Sequence, residues 1–434
     1  MIPFRHGAPL RVCIVAPYDL ALRGGGVKHH IFGLANALRA RGDSVTILGP
    51  ASRPMHEEGV VTTSGIVSLE SNGSANEMPL FASPFETLRF FQSRRFDVIH
   101  VQEPAIPSLA YWATWLTPGI PKLCTFHAYA DAPPLLLRAG QRVFGALQYP
   151  FYARGLAVSQ AAAEYAGRAW KRPLSIVPNG VDTELFSPSG ELPLHREEAP
   201  LHREEALLHR EEAPLHREEA PLHREVRLLF VARLADARKG WSVMLQAYQR
   251  LLASGANVTL DVVGDSAGIP ALPTLPGLRA LGPLPVSELV ERYRACDIFV
   301  APSLSQESFG IVLLEAMATG RAVVCSDIRG YREVAKPEGA AFVPPNDPEL
   351  LAAALLSLAR DPARRKAMQA FNLESVQAYR WPVLAEQVRA HYLAAISAYP
   401  SGRAQPGSAL EGSLAVSTSK RLASTNPANS TGIV

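Results

Sequence analysis

Arg233 and Lys239 flank a short turn, "RLADARKGW", that follows the apolar run "VRLLFVA". A guanidinium fork and a mobile ammonium converging across such a turn suit a diphosphate, whose charge both can neutralise. Two solvated surface cations are the alternative. A second constellation lies in "ESFGIVLLEAMATG". Glu307 precedes a predicted helix, Ser308 to Val312 place backbone N–H groups at its start, and Glu315 follows further along it. Carboxylates on either side of an amide-lined helix start can hold sugar hydroxyls flanking a phosphate; the alternative is an amphipathic helix with chance acids. His127 closes the run "KLCTF", where an imidazole can donate or accept a hydrogen bond at neutral pH, against a purely structural histidine. In "YDLALRGGGVKHH", Gly24, Gly25 and Gly26 permit close backbone approach ahead of a helix N-terminus. That spacing is neither a G-x-G-x-x-G fingerprint nor a Walker loop, and an ordinary glycine turn is its alternative.

Each of these places follows an apolar run, as ligand sites do in open parallel sheets, where they lie beyond the carboxyl ends of the strands. The first half of the chain alternates "RVCIVAP", "SVTILGP", "DVIHV", "KLCTF" and "GLAVS" with helical patterns at 26–41, 85–95, 107–116 and 140–153. The second half continues with "VRLLFVA", "NVTLDVVG", "DIFVAPS", "AVVCSD" and "AAFVPP", separated by helices near 241–253, 286–295, 309–319 and 348–359. This rhythm predicts an α/β chain with two Rossmann-like domains. The expected segments are a first domain over 1–186, an insert over 187–225, a second domain over 226–378, closing helices over 379–401, and a disordered tail over 402–434.

The 434 residues suit two domains of ordinary size. A formal net charge of +3 and a hydrophobic share of 47% speak against nucleic-acid binding and against disorder. The start lacks the pattern of a signal peptide, and no apolar run reaches the roughly 18 to 20 residues of a membrane span. The expected location is therefore cytoplasmic. Cys13, Cys124, Cys296 and Cys325 fall in or beside apolar runs without metal-ligand spacing and read as buried thiols.

"PLHREEA" recurs at 193, 200 and 214, is truncated at 221, and appears as "LLHREEA" at 207. The heptad period resembles a coiled coil, but the recurring proline opposes a long helix. Its histidines, His195, His202, His209, His216 and His223, could be taken for a metal tract. A solvated loop expansion without chemistry is the preferred reading, since each doubling of loop length costs only about 0.6 kcal/mol. No metal ligands are assigned.

Beyond these local readings, "ESFGIVLLEAMATGRAVVCSD" resembles the Glu-x7-Glu segment of retaining GT-B glycosyltransferases of the family 4 type. "RLADARKG", "VPNGVD" with Asn179 and Asp182, "TFH", and "PYDLALRGGGVKHH" occur in the order of that family, over roughly residues 11–398 apart from the insert. "HVQEPAIPSLA" and the Glu-x7-Glu segment look most like the phosphatidylinositol alpha-mannosyltransferase branch. The resemblance implies two Rossmann-like domains facing each other across a cleft. It implies that Gly25, Gly26, Arg233 and Lys239 hold the diphosphate of a nucleotide-sugar, GDP-mannose or a UDP-sugar. Glu307 would bond the donor sugar, assisted by Ser308, Phe309, Gly310 and Ile311. Glu315 would take the ribose, and His127 would stand near the reacting carbon. Tyr18, Lys28 and Asn179 would lie on the acceptor side. Two departures leave the base, the sugar and the acceptor open: "LGPLPVSELVERY" offers no guanine-reading acid and lysine, and Lys28 stands where a glutamine is expected.

Glycosyl transfer passes through an oxocarbenium-like transition state with negative charge growing on the leaving diphosphate. Arg233, Lys239 and the helix N-terminus can neutralise that charge, so no cofactor or divalent metal is expected to be required. The family implies retention by front-face attack, without a protein nucleophile. In "FETLRFFQSRRF", Phe85, Phe90, Phe91 and Phe96 alternate with Arg89, Arg94 and Arg95. This suits either a helix lying on an anionic membrane surface through 85–96 or one burying its aromatic face in the core. The leading expectation is a transferase acting on a phosphatidylinositol-like lipid at the cytoplasmic membrane face. A glycosyltransferase with a UDP-sugar donor and a soluble acceptor is the second, and a catalytically idle GT-B scaffold the third.

Overall fold

The computed structural model describes residues 8–21, 25–63, 67–71, 74–78, 82–106, 109–130, 135–189, 225–267 and 272–399. Gly24, the heptad repeats and the segment after 399 lie outside them. The chain divides into two compact units, Met1–Val177 with Ala385–Val434, and Pro178–Leu384.

The first unit alternates strands and helices in the order β1 (Arg11–Val15), α1 (Gly26–Ala40), β2 (Ser44–Pro50), β3 (Val60–Thr63), a hairpin of β4 (Val67–Ser71) and β5 (Ser74–Met78), α2 (Pro84–Gln92), β6 (Val98–Gln102), α3 (Leu109–Trp115), β7 (Lys122–Phe126), α4 (Leu135–Gln148), β8 (Arg154–Ala157), α5 (Gln160–Gly167) and β9 (Leu174–Ile176). Seven parallel strands form one sheet in the order β3-β2-β1-β6-β7-β8-β9. Strand order reverses between β1 and β6, which is where such sheets bind ligands. Helices cover both faces, so β6 and β7 are buried throughout and read as continuous apolar runs with little alternation.

The second unit contains β10 (Val226–Val231), α6 (Trp241–Ala253), β11 (Val258–Val263), β12 (Leu278–Gly282), α7 (Val286–Ala295), β13 (Ile298–Ala301), α8 (Ile311–Ala318), β14 (Ala322–Ser326), α9 (Arg329–Val334), β15 (Ala340–Val343), α10 (Pro348–Arg360) and α11 (Pro362–Ser375). Its six strands are all parallel, in the order β12-β11-β10-β13-β14-β15, with the reversal between β10 and β13. One apolar cluster gathers Leu229, Phe299, Leu313 and Val323 on one face; another gathers Leu228, Phe230, Met244 and Leu351 on the other.

A last helix, α12 (Trp381–Ser397), begins in the second unit and from Ala385 onward belongs to the first. There Arg389 pairs with buried Asp43 at 3.0 Å and donates to Ala8 O at 2.7 Å. Tyr392 Oη lies 2.8 Å from His100 Nδ1, while Thr125 Oγ1 lies 2.7 Å from that ring's Nε2. Burial, then the nearby His30 and His391, push the His100 pKa down to about 3, so the ring is a neutral tie.

Three expectations change. Phe90, Phe91 and Phe96 are 7%, 1% and 3% exposed and sit in the first unit's core, with Arg94 stacked 4.9 Å from the Phe90 ring centre. The aromatic face of α2 therefore packs inward and is not offered to a bilayer; of the four phenylalanines only Phe85, 76% exposed, points outward. Residues 178–186, assigned above to the first domain, cluster with the second. The Val181 N–H donates to Tyr379 O at 2.9 Å, Phe186 packs edge-on against Tyr293, and Arg294 donates to Ser187 O at 2.8 Å. Finally β12, α9 and α11 escaped the apolar pattern; β12 is an edge strand without a fully buried residue.

Candidate functional site

In the second unit the chain leaves β10 and makes a single turn of 3₁₀ helix, Ala237–Lys239. Asp236, 7% exposed, holds this turn. Its carboxylate accepts the Arg238 backbone N–H at 3.2 Å and that side chain's Nε and Nη2 at 2.9 and 2.6 Å. Burial alone would raise the Asp236 pKa, but these bonds and the charges of Arg238 and Lys239 outweigh it and hold the pKa below the usual range. Gly240 follows at φ 75°, and a Cβ there would meet Pro302 O at 1.9 Å. Glycine is thus required for the turn to press against the segment after β13, where the Leu304 N–H donates to Arg238 O at 2.7 Å.

The result is a cation beside an acid. Lys239 Nζ lies 2.5 Å from Glu307 Oε1, with both side chains largely buried. Ser303 Oγ donates to the same oxygen at 3.3 Å and lies 2.7 Å from Tyr331 Oη. Gln306, in the left-handed region at φ 59°, turns the chain just ahead of Glu307, while Gly330 leaves room for Glu307 O, which a Cβ would approach to 2.0 Å. Arg233 is the looser cation: its side chain is 58% exposed, with Nη2 3.9 Å from Asp236 Oδ2.

Gly310, at φ 97°, caps α8. Ser308, Gly310 and Ile311 are half-buried around this start, while Phe309 is buried in the core. The first N–H groups of a helix have no partner within it. One turn on, Glu315 is 8% exposed and accepts the Tyr293 hydroxyl at 2.8 Å. Burial pushes its pKa up to about 7 against the opposing Tyr293 bond. Asn179, placed on the acceptor side by resemblance, is buried within the second unit.

The first unit builds its site around a histidine and a buried acid. After β1, Tyr18 is half-buried and Asp19 accepts the Ala21 and Ser52 N–H groups at 2.7 and 3.0 Å. Gly25, at φ 107°, caps α1 at a place where a Cβ would meet nothing within 4 Å, and Gly26 opens the helix. Lys28, on the first turn, is half-buried with Nζ 5.7 Å from the Phe32 ring centre. Burial lowers its pKa, against Glu57 and Asp19. His127 ends β7 at 5% exposure, its Nε2 2.7 Å from Gln102 Oε1 and its ring edge-on to His30 at 4.8 Å. Burial, then His30 and His100, hold the His127 pKa well below the usual histidine value, so the imidazole is neutral. Glu103 Oε1 accepts the His127 and Ala128 N–H groups at 2.5 and 2.6 Å.

The fold of each unit thus gathers the residues singled out above, Arg233, Lys239, Glu307 and Glu315 in one, Tyr18, Gly25, Lys28 and His127 in the other. Asp236, Ser303, Tyr293, Gln102 and Glu103 were missed. Asp236 could have been found from its place inside "RLADARKG", where only an acid offsets three cations. Among the described residues no group of three or more His, Cys, Asp or Glu could hold a metal ion, and no helix is long and apolar enough to cross a membrane.

Two doubly wound parallel sheets, one carrying a cation–carboxylate pair at its switch point, are the architecture of GT-B glycosyltransferases. A Rickettsia africae glycosyltransferase superposes with a TM-score of 0.63 over 90% of this chain and 99% of that one at 15% identity. The Anabaena protein HepE, solved with UDP and glucose, gives 0.64 over 89% and 99% at 16% identity. The family model described as Glycosyltransferase Family 4 matches residues 24–185, and the one described as Glycosyl transferases group 1 matches 225–361. A phosphatidyl-myo-inositol mannosyltransferase of Mycolicibacterium smegmatis is 32% identical over 88% of this chain and 93% of its own length. A protein of the same name from Mycobacterium leprae is 30% identical over 88% and 96%. The chain belongs to glycosyltransferase family 4 and is a glycosyltransferase.

Proposed function

We propose that the protein transfers mannose from GDP-mannose to the inositol headgroup of phosphatidyl-myo-inositol at the inner face of the cell membrane, with retention of anomeric configuration. The observation that carries this reading is the likeness to phosphatidyl-myo-inositol mannosyltransferases along 88% of the chain. The Lys239–Glu307 pair supplies the chemistry: the ammonium neutralises the leaving diphosphate while the carboxylate next to it accepts a sugar hydroxyl. Arg233, exposed at the edge of the turn, closes on the same phosphates. The N–H groups at the start of α8 add their dipole, and Glu315 receives the ribose hydroxyls in exchange for its Tyr293 bond. On the acceptor side the neutral His127 offers a hydrogen-bonding nitrogen without a competing positive charge, beside Tyr18 and Lys28 of the same unit. Gly25 and Gly26 let a phosphate approach the start of α1.

In this reading the diphosphate itself takes the acceptor's proton, and no divalent metal is needed. Transfer abolished by a chelator would contradict the latter. The deciding experiment pairs thermal unfolding in GDP, UDP, ADP and their sugar conjugates with transfer of labelled sugar to phosphatidylinositol vesicles. A nucleotide at 100 times its Kd stabilises by about 2.7 kcal/mol. Stabilisation by GDP and GDP-mannose with label in the organic phase supports the proposal. Stabilisation by UDP compounds alone, or label that stays in water, rejects the donor or the acceptor while leaving the family membership untouched.

A further inference from the structure

Glu103 stands in the left-handed region at φ 49°, directly after β6. A non-glycine residue persists there only when its surroundings over-determine it. Here they do. Its N–H donates to Thr125 O at 2.9 Å, its carbonyl accepts the Ile106 N–H at 3.1 Å, and its side chain turns back so that one oxygen collects two successive N–H groups, those of His127 and Ala128. The residue is 5% exposed, and among the described residues only those two amides favour its ionised form. A buried carboxylate without a cation is costly, and a neutral amide oxygen would accept the same two bonds. Packing does not hold this loop from the far side either. A cavity of about 20 Å³ lies there, lined by Glu103, Ala128, Tyr149 and Tyr165, roughly the room of one water.

We propose that Glu103 and Gln102 are a positioning pair for His127: the Glu103 carboxylate fixes the main chain at the end of β7, and the Gln102 oxygen selects the ring tautomer. Gln102 is fully buried, its Oε1 2.7 Å from His127 Nε2 and its own Nε2 without a hydrogen-bond partner among the described residues; in this proposal the oxygen accepts a proton carried on the ring's Nε2, which leaves Nδ1 as an acceptor. The inference rests on His127 serving the acceptor side, as proposed above. Burial raises the Glu103 pKa to about 7, against the two backbone bonds, and one oxygen can go on accepting both N–H groups while the other carries a proton. Tyr18 after β1, Cys124 on β7, Tyr149 after α4, Tyr165 on α5 and His127 itself face it. Burial pushes the pKa values of Tyr18, Cys124 and Tyr149 upward and that of His127 downward, away from neutrality.

The test uses the full chain with Glu103→Ala, Glu103→Gln and Gln102→Ala, GDP-mannose and phosphatidylinositol vesicles. Misplacing a reacting group by about 1 Å costs on the order of 100-fold, so Glu103→Ala should lower kcat by about ten- to a hundredfold with donor KM unchanged. Glu103→Gln, which keeps an acceptor oxygen, should recover most of that loss. Nitrogen-15 spectra of the histidine rings, with His127 assigned by its Asn variant, should show a single Nε2–H tautomer in the wild type and a mixture in Gln102→Ala. Unchanged kcat in Glu103→Ala, or a donor KM that rises in step with the loss, overturns the proposal. So does a wild-type His127 that is already a tautomer mixture or charged at pH 7. Should the wild type transfer no sugar, the functional reading fails, while the ring spectra of Glu103→Gln and Gln102→Ala still decide the positioning role.

Discussion

The two units reach the same strand-end geometry with opposite chemistry. In each, an aspartate ahead of the strand beside the switch point ties an N–H at the start of the central strand: Asp97 accepts from Arg11 at 2.8 Å, and Asp297 from Arg227 at 2.9 Å. In each, the chain just past that strand goes through a left-handed non-glycine residue, Glu103 at φ 49° or Gln306 at φ 59°. Beyond this point they part. The first unit turns its acid inward onto backbone amides and keeps His127 neutral, whereas the second sets Glu307 against the Lys239 ammonium. A neutral hydrogen-bonding site suits a hydroxyl; an ionic one suits a diphosphate. Charge should therefore govern one half of the reaction, and tautomer and backbone placement the other.

The largest expected effect strikes the ionic half. Lys239→Ala and Arg233→Ala should each lower kcat by about 10²- to 10³-fold with little change in thermal midpoint, because both act on charge that grows in the transition state. Steady-state kinetics beside a melting curve checks this, and wild-type turnover would remove these residues from the reaction. Next come the turns. Gly240→Ala and Gly330→Ala drive a Cβ to within 1.9 and 2.0 Å of carbonyl oxygens, so each should destabilise by on the order of 4 kcal/mol in urea unfolding. Gly25→Ala meets only the backbone preference and open space, and should cost about 1–3 kcal/mol. Equal losses at all three would erase the contrast between a turn braced by protein and one left open.

A smaller effect compares one buried acid from each unit. Glu103 and Glu315 both have pKa values raised to about 7, chiefly by burial. A raised carboxyl pKa contributes stability that is complete below the unfolded value, near 4.5, and is lost as pH rises through 7. Unfolding free energy should therefore fall between about pH 5 and pH 8, and Glu103→Gln or Glu315→Gln should each flatten that slope, by up to about 3 kcal/mol. Unaltered slopes would mean that these acids are already hydrated. The smallest effect belongs to the surface arginines on and just after α2. Replacing exposed Arg89 and Arg95 by Glu should change folding stability by less than about 0.5 kcal/mol, whereas Phe91→Ala should cost about 3–5 kcal/mol, as measured by urea titration.

Legibility in the sequence follows the same divide. The ionic site could be read because its charges sit close together in sequence, inside one turn and at one helix start. Glu103 reaches across strands to His127 and bonds main-chain groups that leave no mark on side-chain patterning. The left-handed turns at Glu103 and Gln306 were equally silent, since neither residue is a glycine. Alternating apolar runs did announce two parallel sheets, because strands covered on both faces must be apolar throughout. Edge strand β12, partly covered but without a fully buried residue, had no such run to show. In α2 the amphipathic spacing established that an apolar face exists, and packing alone decides that it turns inward.

The last helix has a bearing on how the chain is made. His100 and Asp43 are buried in the first unit against Tyr392 and Arg389, which leave the ribosome after the whole of residues 178–384. At about 5–20 residues per second, the early unit waits on the order of 10–40 s for these two partners, holding meanwhile the Thr125 bond to His100 and the Leu10 bond to Asp43. The first unit is thus completed by residues made after the second, so its last two buried polar contacts form only once both sheets have been synthesised.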